Sequence, residues 1–351
     1  MHKPDAAPRR RLAAGSAAAL ILAAAFSLTA LIPSDSGISP LWRPVLRLHD
    51  RAAVAMGSDA IGDIYLGEER MMHRMLHYDS KTLADSIAAL NAYAEKSGAP
   101  VYFAAVPTAA GVYADSFPEN APRGDEKAVL QTVSEQLAPG ITQIDLLSRF
   151  TADRSEPLYY RTDSRLTAYG AFAAYRASVR RLGYDPAGFG KVIITHYDSE
   201  YYGDLAQQAR YYAYAPDVLD LYAFDGAAFT VTALHENDEV PLKSCFLPER
   251  AEASGDSYDV YALQTEPVLR LESDRAGKDL LLLCDDCGAG IVPLLMQNYR
   301  SVTAVHLPHA MQAGLDWEAL AAPPENGWAQ VLILLGPETL CTQPVRNPAA
   351  D

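Results

Sequence analysis

Two short segments carry side chains whose types and spacing could support acid–base or nucleophilic chemistry. Asp163–Arg165 (DSR) precedes an amphipathic stretch, and Cys284–Gly288 (CDDCG) follows the apolar run Leu280–Leu283. The apolar run predicts a buried strand, and the segment after the turn predicts a helix. In an open α/β sheet such a turn faces the ligand crevice, and the helix start offers free backbone N–H groups. The turn at 284–288 is therefore the first predicted functional site.

An alternation of helices and strands is predicted to position both segments. Apolar residues at helical spacing alternate with short runs of strand formers, which predicts a mainly parallel sheet with helices on both faces. The predicted helices are Lys81–Lys96, Glu126–Leu137 and Ala168–Leu182, and the predicted strands are Val101–Pro107, Ile141–Leu147, Leu280–Leu283, Val302–His306 and Val331–Leu335.

The chain is predicted to hold one large α/β domain over residues 62–345. Residues 192–275 differ from the rest of it: short β-like pieces separated by loops predict an insertion of antiparallel strands beside the main sheet. Residues 34–61 read as a linker rich in Ser, Pro and Gly at its start, and residues 346–351 form a tail.

The N-terminal 33 residues predict a membrane anchor. Arg9–Arg11 precede Leu12–Ile32, which contain no charged side chain. A helix of that length spans about 30 Å, the thickness of the hydrocarbon core. The basic flank places the N-terminus in the cytoplasm and the bulk of a single-pass chain outside it. A cleaved signal peptide is the alternative, but the apolar run exceeds the usual length and no A-x-A site follows it.

Composition narrows the possible partners. A formal net charge of -15 argues against a nucleic-acid partner and against docking of the acidic domain onto an anionic lipid surface. No cofactor is predicted. The four cysteines (Cys245, Cys284, Cys287, Cys341) match no secreted disulfide framework, so their redox state is left open.

The segment Tyr159–Tyr175 (YYRTDSRLTAYGAFAAY) resembles the signature of the DHHW proteins, Y-Y-R-T-D-H-H-W-T-x-Y-G-A. These form a branch of the SGNH/GDSL hydrolase superfamily similar to the alginate O-acetylation proteins. Tyr102–Pro107, Tyr202–Leu205 (YGDL) and Leu280–Leu295 resemble further blocks of the family. The resemblance implies a flavodoxin-like α/β/α sandwich on a membrane-anchored, extracytoplasmic chain. In intact members it implies a Ser-His-Asp site that moves acetyl groups on or off sugars.

The departures from this pattern fall on the chemistry. Asp163 keeps the acidic position, but Ser164-Arg165-Leu166 replaces His-His-Trp, and Asp286 stands where the nucleophilic serine belongs. A guanidinium stays protonated at any working pH, so Arg165 cannot serve as the base. Asp163, Arg165 and Asp286 therefore mark a degenerate triad. We predict that Arg165 and Asp286 form an ion pair across the old site, the alternative being that Arg165 points to solvent while Asp286 caps a helix.

Several residues near these positions are predicted to contact a ligand. Tyrosine rings can pack on sugars while their hydroxyls bond to sugar oxygens, and residues 197–214 are rich in tyrosine. Gly203 is predicted to be a remnant oxyanion donor. The predicted ligand-binding residues are Tyr160, Arg161, Gly203, Asp286, Cys287 and Gly288.

Three other chemistries are weighed and set aside. Cys287 begins a helix, which would favour a reactive thiol, but no histidine is placed beside it by sequence. The turn 284–287 and His306–His309 follow neighbouring strands and offer metal ligands, yet their spacing matches no zinc pattern, so no metal is predicted. Gly255–Tyr258 (GDSY) spells the family's catalytic string but lacks the strand before it and the helix after it, which predicts a surface turn.

The sequence thus favours a non-catalytic SGNH-like protein in the cell membrane. Its expected role is binding or accessory work in O-acetyl modification of cell-envelope glycan, with a polysaccharide and a membrane acyltransferase as partners. The glycan part is what the resemblance implies, since a fold alone does not determine function. Two alternatives stay open: an active esterase or O-acetyltransferase that uses substituted residues, and a structural component of a membrane complex.

Overall fold

The computed structural model describes residues 54–55, 57–74, 78–117, 121–226, 228–342, 344–345 and 347–348. The predicted anchor, most of the predicted linker and most of the predicted tail lie outside these ranges. Within the part of the chain that is described, no helix combines the length and the apolar character needed to cross a membrane. The described part of the chain divides into two compact units, the first ending at Leu66 and the second beginning at Gly67.

Strands are numbered in chain order. They are β1 (Ala60–Ile61), β2 (Ile64–Leu66), β3 (Met71–His73), β4 (Val101–Ala105), β5 (Ile141–Ile144), β6 (Val192–Tyr201), β7 (Asp217–Phe224), β8 (Thr230–His235), β9 (Asp238–Leu242), β10 (Val268–Glu272), β11 (Asp279–Cys284), β12 (Ser301–His306) and β13 (Gln330–Leu335). In the first unit, β1 and β2 pair as an antiparallel hairpin.

The α-helices are numbered in the same way. They are α1 (Ser80–Lys96), α2 (Ala109–Val112), α3 (Glu126–Gln136), α4 (Leu146–Ala152), α5 (Ala168–Arg181), α6 (Asp204–Ala209), α7 (Pro248–Ser254), α8 (Ala262–Thr265), α9 (Val292–Leu295), α10 (Leu307–Gln312), α11 (Trp317–Leu320) and α12 (Pro337–Thr342). Short 3₁₀ helices cover Ala114–Ser116, Phe189–Lys191, Ser257–Val260 and Asp286–Gly288.

The second unit is built on one eight-stranded sheet with the order β5-β4-β13-β11-β12-β10-β8-β9. The first five strands of this order run parallel, which confirms the predicted mainly parallel α/β fold. The last three run antiparallel. The predicted insertion therefore needs a correction: β8, β9 and β10 are hydrogen-bonded into the central sheet and do not lie beside it. Only β6 and β7 form a separate two-stranded sheet.

The central strands are buried because both faces of the sheet are covered. Leu280 to Leu283 in β11 are each at most 1% exposed, as expected for a parallel sheet packed on both sides. On one face, Leu83 and Leu90 of α1 share an apolar cluster with Phe103 of β4 and Leu281 of β11. The side chains of Leu280 and Leu282 point to the opposite face, because successive residues of a strand alternate.

Helix α5 positions the DSR segment. Thr167 caps the helix by accepting a hydrogen bond from the N–H of Gly170, and the helix buries Phe172, Tyr175 and Val179. A β-bridge joins Tyr159 to Leu166 immediately before the cap, so residues 160–165 form a closed loop. Packing of the helix and closure of the loop together hold Asp163 and Arg165 at the end of the sheet.

Candidate functional site: a crevice at the carboxyl ends of the parallel strands

A cavity of about 290 Å³ lies at the carboxyl ends of β4, β11, β12 and β13. Thr108, Asp286, Pro308 and Gly336 line it just beyond those four strand ends, and Arg165 lines it from the closed loop. Ligands of open α/β sheets collect at this end, because the strand-to-helix turns face the crevice. The structure thus brings both predicted segments, DSR and CDDCG, to one crevice.

Arg165 and Asp163 form a buried, two-pronged ion pair. Arg165 Nε donates to Asp163 Oδ1 at 2.8 Å and Nη2 donates to Oδ2 at 2.6 Å. The side chains are 9% and 0% exposed. Burial alone would raise the pKa of Asp163, but the guanidinium and its hydrogen bonds hold it below its ordinary value. A carboxylate paired in this way stays charged at neutral pH.

Aromatic rings close around the guanidinium. Its carbon lies 3.7 Å from the ring centroid of Tyr258, in a cation–π arrangement. Nη2 also donates to the hydroxyl of Tyr201 at 3.0 Å, and that hydroxyl donates to Asp163. Asp256 Oδ2 is a second carboxylate 3.6 Å from Nη2. Arg165 is therefore occupied on several sides and points into protein rather than solvent.

The predicted Arg165–Asp286 ion pair is wrong. Within the described chain, no guanidinium–carboxylate contact of 4.0 Å or less joins these two residues. Asp286 Oδ1 instead lies 2.8 Å from Nε2 of His306. Arg165 pairs with the carboxylate of Asp163, two positions away in the chain. The parallel register of Cys284 with His306 brings the imidazole of His306 close to Asp286. Asp286 and Arg165 nevertheless line the same cavity.

His306 is held in one tautomer. Its Nδ1 accepts a hydrogen bond from the backbone N–H of His309 at 3.2 Å, as the N-cap of α10. The proton must then sit on Nε2, which donates to Asp286. Burial raises the pKa of Asp286, but this hydrogen bond and the positive charges around the carboxylate, that of Arg165 among them, together lower the pKa to about 2. With both ring nitrogens engaged, His306 has no free lone pair with which to take a proton from a nucleophile.

The same tautomer bears on metal binding. Asp286, His306 and His309 each offer one ligand atom, and these atoms lie within 4.8 Å of one another. A metal on Nε2 of His306 would need the lone pair of that nitrogen, which would move the proton to Nδ1. A proton on Nδ1 would point at the backbone N–H of His309, which is itself a hydrogen-bond donor. The donor set therefore does not fit a metal unless the cap of α10 breaks.

Cys287 lacks the features of a reactive thiol. Burial, followed by the charges of Asp285 and Asp286, raises its pKa well above the ordinary value. The stacked ring of His309, whose centroid is 3.8 Å from that of His306, has a pKa lowered to about 4 by burial and by His306. Neither a Cys287 thiolate nor a His309 cation is expected at neutral pH.

Three backbone donors around the crevice are bound by oxygens of the protein itself. The N–H of Gly203, the predicted remnant oxyanion donor, donates to Thr162 Oγ1 at 3.2 Å. The N–H of Cys287 donates to Asp285 Oδ1 at 3.1 Å, and that of Gly336 to Asp285 Oδ2 at 2.7 Å. An oxyanion hole needs donors that point at the developing charge. These three donors point at the protein's own oxygens.

The sequence did not predict two hydrogen-bonded side-chain pairs at the crevice, each of which contains one carboxyl group. His73 Nδ1 lies 3.2 Å from Glu338 Oε1, and both residues line the cavity. The hydrogen bond to Glu338 raises the pKa of His73 to about 9 against the opposing effect of burial. Ser164 Oγ donates to Asp204 Oδ2 at 2.6 Å, and burial together with Asp163 raises the pKa of Asp204 to about 6. Each pair joins residues too distant in sequence for spacing to suggest.

The other predicted ligand-binding residues lie away from the cavity. Tyr160 is 1% exposed and packs edge-to-face on Tyr201, 5.1 Å between centroids, so it is a core residue. Arg161 is exposed and donates its backbone N–H to Asp217, both carboxylate oxygens lying at 3.0 Å. Gly288 is buried, and a Cβ at this position would overlap the side chain of Cys284. Of the six predicted residues, Asp286 and Cys287 line the cavity.

Gly203→Ala is expected to destabilise the chain by about 1–3 kcal/mol, because a Cβ at this position would overlap the carboxyl group of Asp163. Gly188→Ala is the matched control. Both glycines precede short helices in extended backbone, with φ -82° and -72°, and no atom lies within 4 Å of the Cβ position at Gly188. Urea unfolding should show the control within about 0.5 kcal/mol of wild type. Equal effects would mean that close approach to Asp163 is unimportant.

The GDSY segment is not a second nucleophile turn. Gly255 ends α7 with a left-handed φ of 79°, and Ser257 Oγ donates to Asp198 at 2.6 Å from a 3₁₀ helix. The predicted surface turn is found only in part, because Gly255 is exposed whereas Tyr258 is 2% exposed. Asp256 and Tyr258 form part of the surroundings of Arg165, as described above. The GDSY segment therefore helps to hold the guanidinium group of Arg165 in place.

Comparisons with known proteins agree with this architecture. Residues 62–221 match the family model described as an SGNH hydrolase-like domain of acetyltransferase AlgX. The structure of Bacillus cereus PatB1 with a sulfonyl adduct is similar with a TM-score of 0.67 at 17% identity, over 81% of this chain and 98% of that one. A DHHW family protein from Eubacterium siraeum is similar with a TM-score of 0.64 at 16% identity, over 82% and 94%. No curated protein sequence matches the chain.

Proposed function

We propose a function without turnover, from the premise that residues 62–221 match a family model of an SGNH hydrolase-like domain, which confirms the predicted resemblance. The chain binds a cell-envelope glycan and serves as an accessory component of its O-acetyl modification, anchored in the membrane outside the cytoplasm. The observation that carries the proposal is the state of Arg165: a permanent cation at the position of the family's base, held by Asp163 on two hydrogen bonds.

Nucleophilic acyl transfer needs an activated nucleophile, a base with a free lone pair and donors for the oxyanion. Arg165 cannot accept a proton, and His306 has both nitrogens engaged. Asp286 is acceptor-only at neutral pH because its pKa is about 2. These contacts support a crevice that binds a ligand but does not cleave its ester bond.

A specific contact favours one competing function, an active esterase. Ser164 lines the cavity, and its hydroxyl donates to Asp204 at 2.6 Å. With a pKa of about 6, Asp204 is largely ionised at pH 7 and could accept that proton. The second candidate is therefore acyl transfer through Ser164 with Asp204 as base. Against it, the N–H of Ser164 is also bound by Asp204, at 2.8 Å.

An acetyl-ester assay separates the two functions. We expect the full-length chain to hydrolyse 4-nitrophenyl acetate no faster than its Asp286→Ala and Ser164→Ala variants do. The double variant Asp286→Ser/Arg165→His tests whether the family's chemistry can be restored. Wild-type turnover that Ser164→Ala abolishes would establish the active esterase. Turnover that Asp286→Ala abolishes would equally overturn the non-catalytic function.

Glycan binding is tested with a probe polymer. Tyr212 is 54% exposed and packs edge-to-face on Tyr202, 5.2 Å between centroids, so it offers an exposed ring to a sugar. In affinity electrophoresis through acetylated xylan, Tyr212→Ala should weaken retention about two- to tenfold. Val240→Ala, an exposed apolar control on β9, should leave retention unchanged. Absence of retention in the wild type would favour the purely structural role.

A further inference from the structure

A second cavity opens at the outer edge of the sheet. It has a volume of about 440 Å³ and shares no lining residue with the crevice. Ile144, at the carboxyl end of edge strand β5, forms an apolar lining with Phe172 and Ala173 of α5. Four arginines complete its lining: Arg149 from α4 and Arg176, Arg180 and Arg181 from α5.

The charge balance of this cavity is unusual for so acidic a chain. Arg149 is paired with Asp153 at 2.7 Å. The remaining lining carboxylate, Asp145, caps α4 by accepting the N–H of Ser148 at 2.9 Å. Four guanidinium groups thus face two carboxylates, whereas the whole chain has 44 acidic and 29 basic residues. The side chains that line this cavity therefore carry a net positive charge.

Three of the four guanidinium groups lack an acidic partner. In the described part of the chain, no carboxylate lies within 4.0 Å of Arg176, Arg180 or Arg181; the ion pairs found engage other residues. Arg176 lies near the ring of Phe172, 5.7 Å from its centroid, and its Nε is buried without a hydrogen bond to any described residue. A buried N–H without a partner costs free energy, so the protein's own acceptors do not hold this side chain in place.

We propose that this cavity binds a small organic oxyanion, a carboxylate or phosphate group carried on a flat apolar ring. Arg176 and Arg180 are one helical turn apart, so their side chains lie on the same face of α5. The planar fork of arginine matches two oxygens of a carboxylate or phosphate. The lining formed by Ile144, Phe172 and Ala173 accommodates the ring. The like charges of the arginines repel one another until the anion is bound.

The test is calorimetric titration of the full-length chain in neutral detergent with phenyl phosphate and with benzoate. Phenyl glucoside carries the ring without the charge, and inorganic phosphate carries the charge without the ring. We expect one site for at least one of the two aromatic anions, weaker binding of inorganic phosphate and no binding of the glucoside. The double variant Arg176→Ala/Arg180→Ala should weaken binding about tenfold or more, because two charge-assisted hydrogen-bonding groups are lost.

Lys127→Ala, on α3 outside the cavity, is the matched control and should bind as wild type does. Two results would overturn the assignment: absence of binding by both aromatic anions, or equal affinity in wild type and the double variant. Binding that Lys127→Ala weakens as strongly would also overturn it, because the anion would then follow general surface charge. The double variant must show a circular dichroism spectrum equal to that of wild type, and Arg176→Gln/Arg180→Gln replaces it if it does not.

Discussion

Arg165→Ala is expected to lower the free energy of unfolding by about 3–5 kcal/mol, the usual cost of leaving a buried charge without its partner. Asp163 would keep its burial, with 0% of its side chain exposed, but lose two hydrogen bonds and the guanidinium charge. Its pKa would rise as a result. The cost of the substitution should therefore shrink as the pH falls, because protonation removes the stranded charge.

The pH dependence also separates loss of the ion pair from loss of packing. In wild type the lowered pKa of Asp163 contributes stability above the ordinary pKa, which is lost as pH falls through the folded value. Urea unfolding of wild type and variant at several pH values measures the difference. Arg154→Ala is the control, because its pair with Asp115 is exposed, 50% and 61%, and should cost at most about 1 kcal/mol. A similar small cost for Arg165→Ala would refute the buried pair.

His73 is expected to make stability depend on pH in the opposite direction. Its pKa is raised from 6.5 to about 9, mainly by the hydrogen bond to Glu338. This contribution is fully present below pH 6.5 and is lost as pH rises through 9. With the two side chains 27% and 32% exposed, the shift corresponds to about 3 kcal/mol.

The measurement is urea unfolding of wild type, His73→Gln and Glu338→Gln between pH 6 and pH 10. Wild type should lose stability across this range, and both variants should lose much less, because either substitution removes the ion pair. His196→Gln is the control: this ring is 73% exposed, so its replacement should leave the wild-type slope in place. If His73→Gln keeps the full slope, another group carries it and the imidazole–carboxylate pair is unimportant for stability.

Local patterns were enough to predict most of the sheet. The helices beginning near residues 80, 126 and 168 and the parallel strands through residues 101–105, 280–284 and 301–306 are found where periodicity placed them. Residues 192–275 were harder, because a short apolar run does not reveal its pairing partner. Strand β10 pairs with β12 across some 30 residues of chain, and that pairing carries β8 and β9 into the central sheet.

The sequence by itself determined which chemical groups the site contains. The residue types show directly that the family's two histidines are absent at positions 164 and 165 and its serine at position 286. They also show the permanent charge of Arg165. That DSR and CDDCG would meet at one site was implied by the resemblance to the family and not by the alternation of apolar residues.

Only the tertiary structure decided how those groups pair. Arg165 pairs with Asp163 rather than Asp286, and contacts with Tyr201 and Tyr258 hold the guanidinium in that position. Asp286 received His306 instead, because the register of two neighbouring strands places them side by side. An ion pair depends on distances of a few ångströms, and the local patterns around DSR and CDDCG do not encode which partner lies that close.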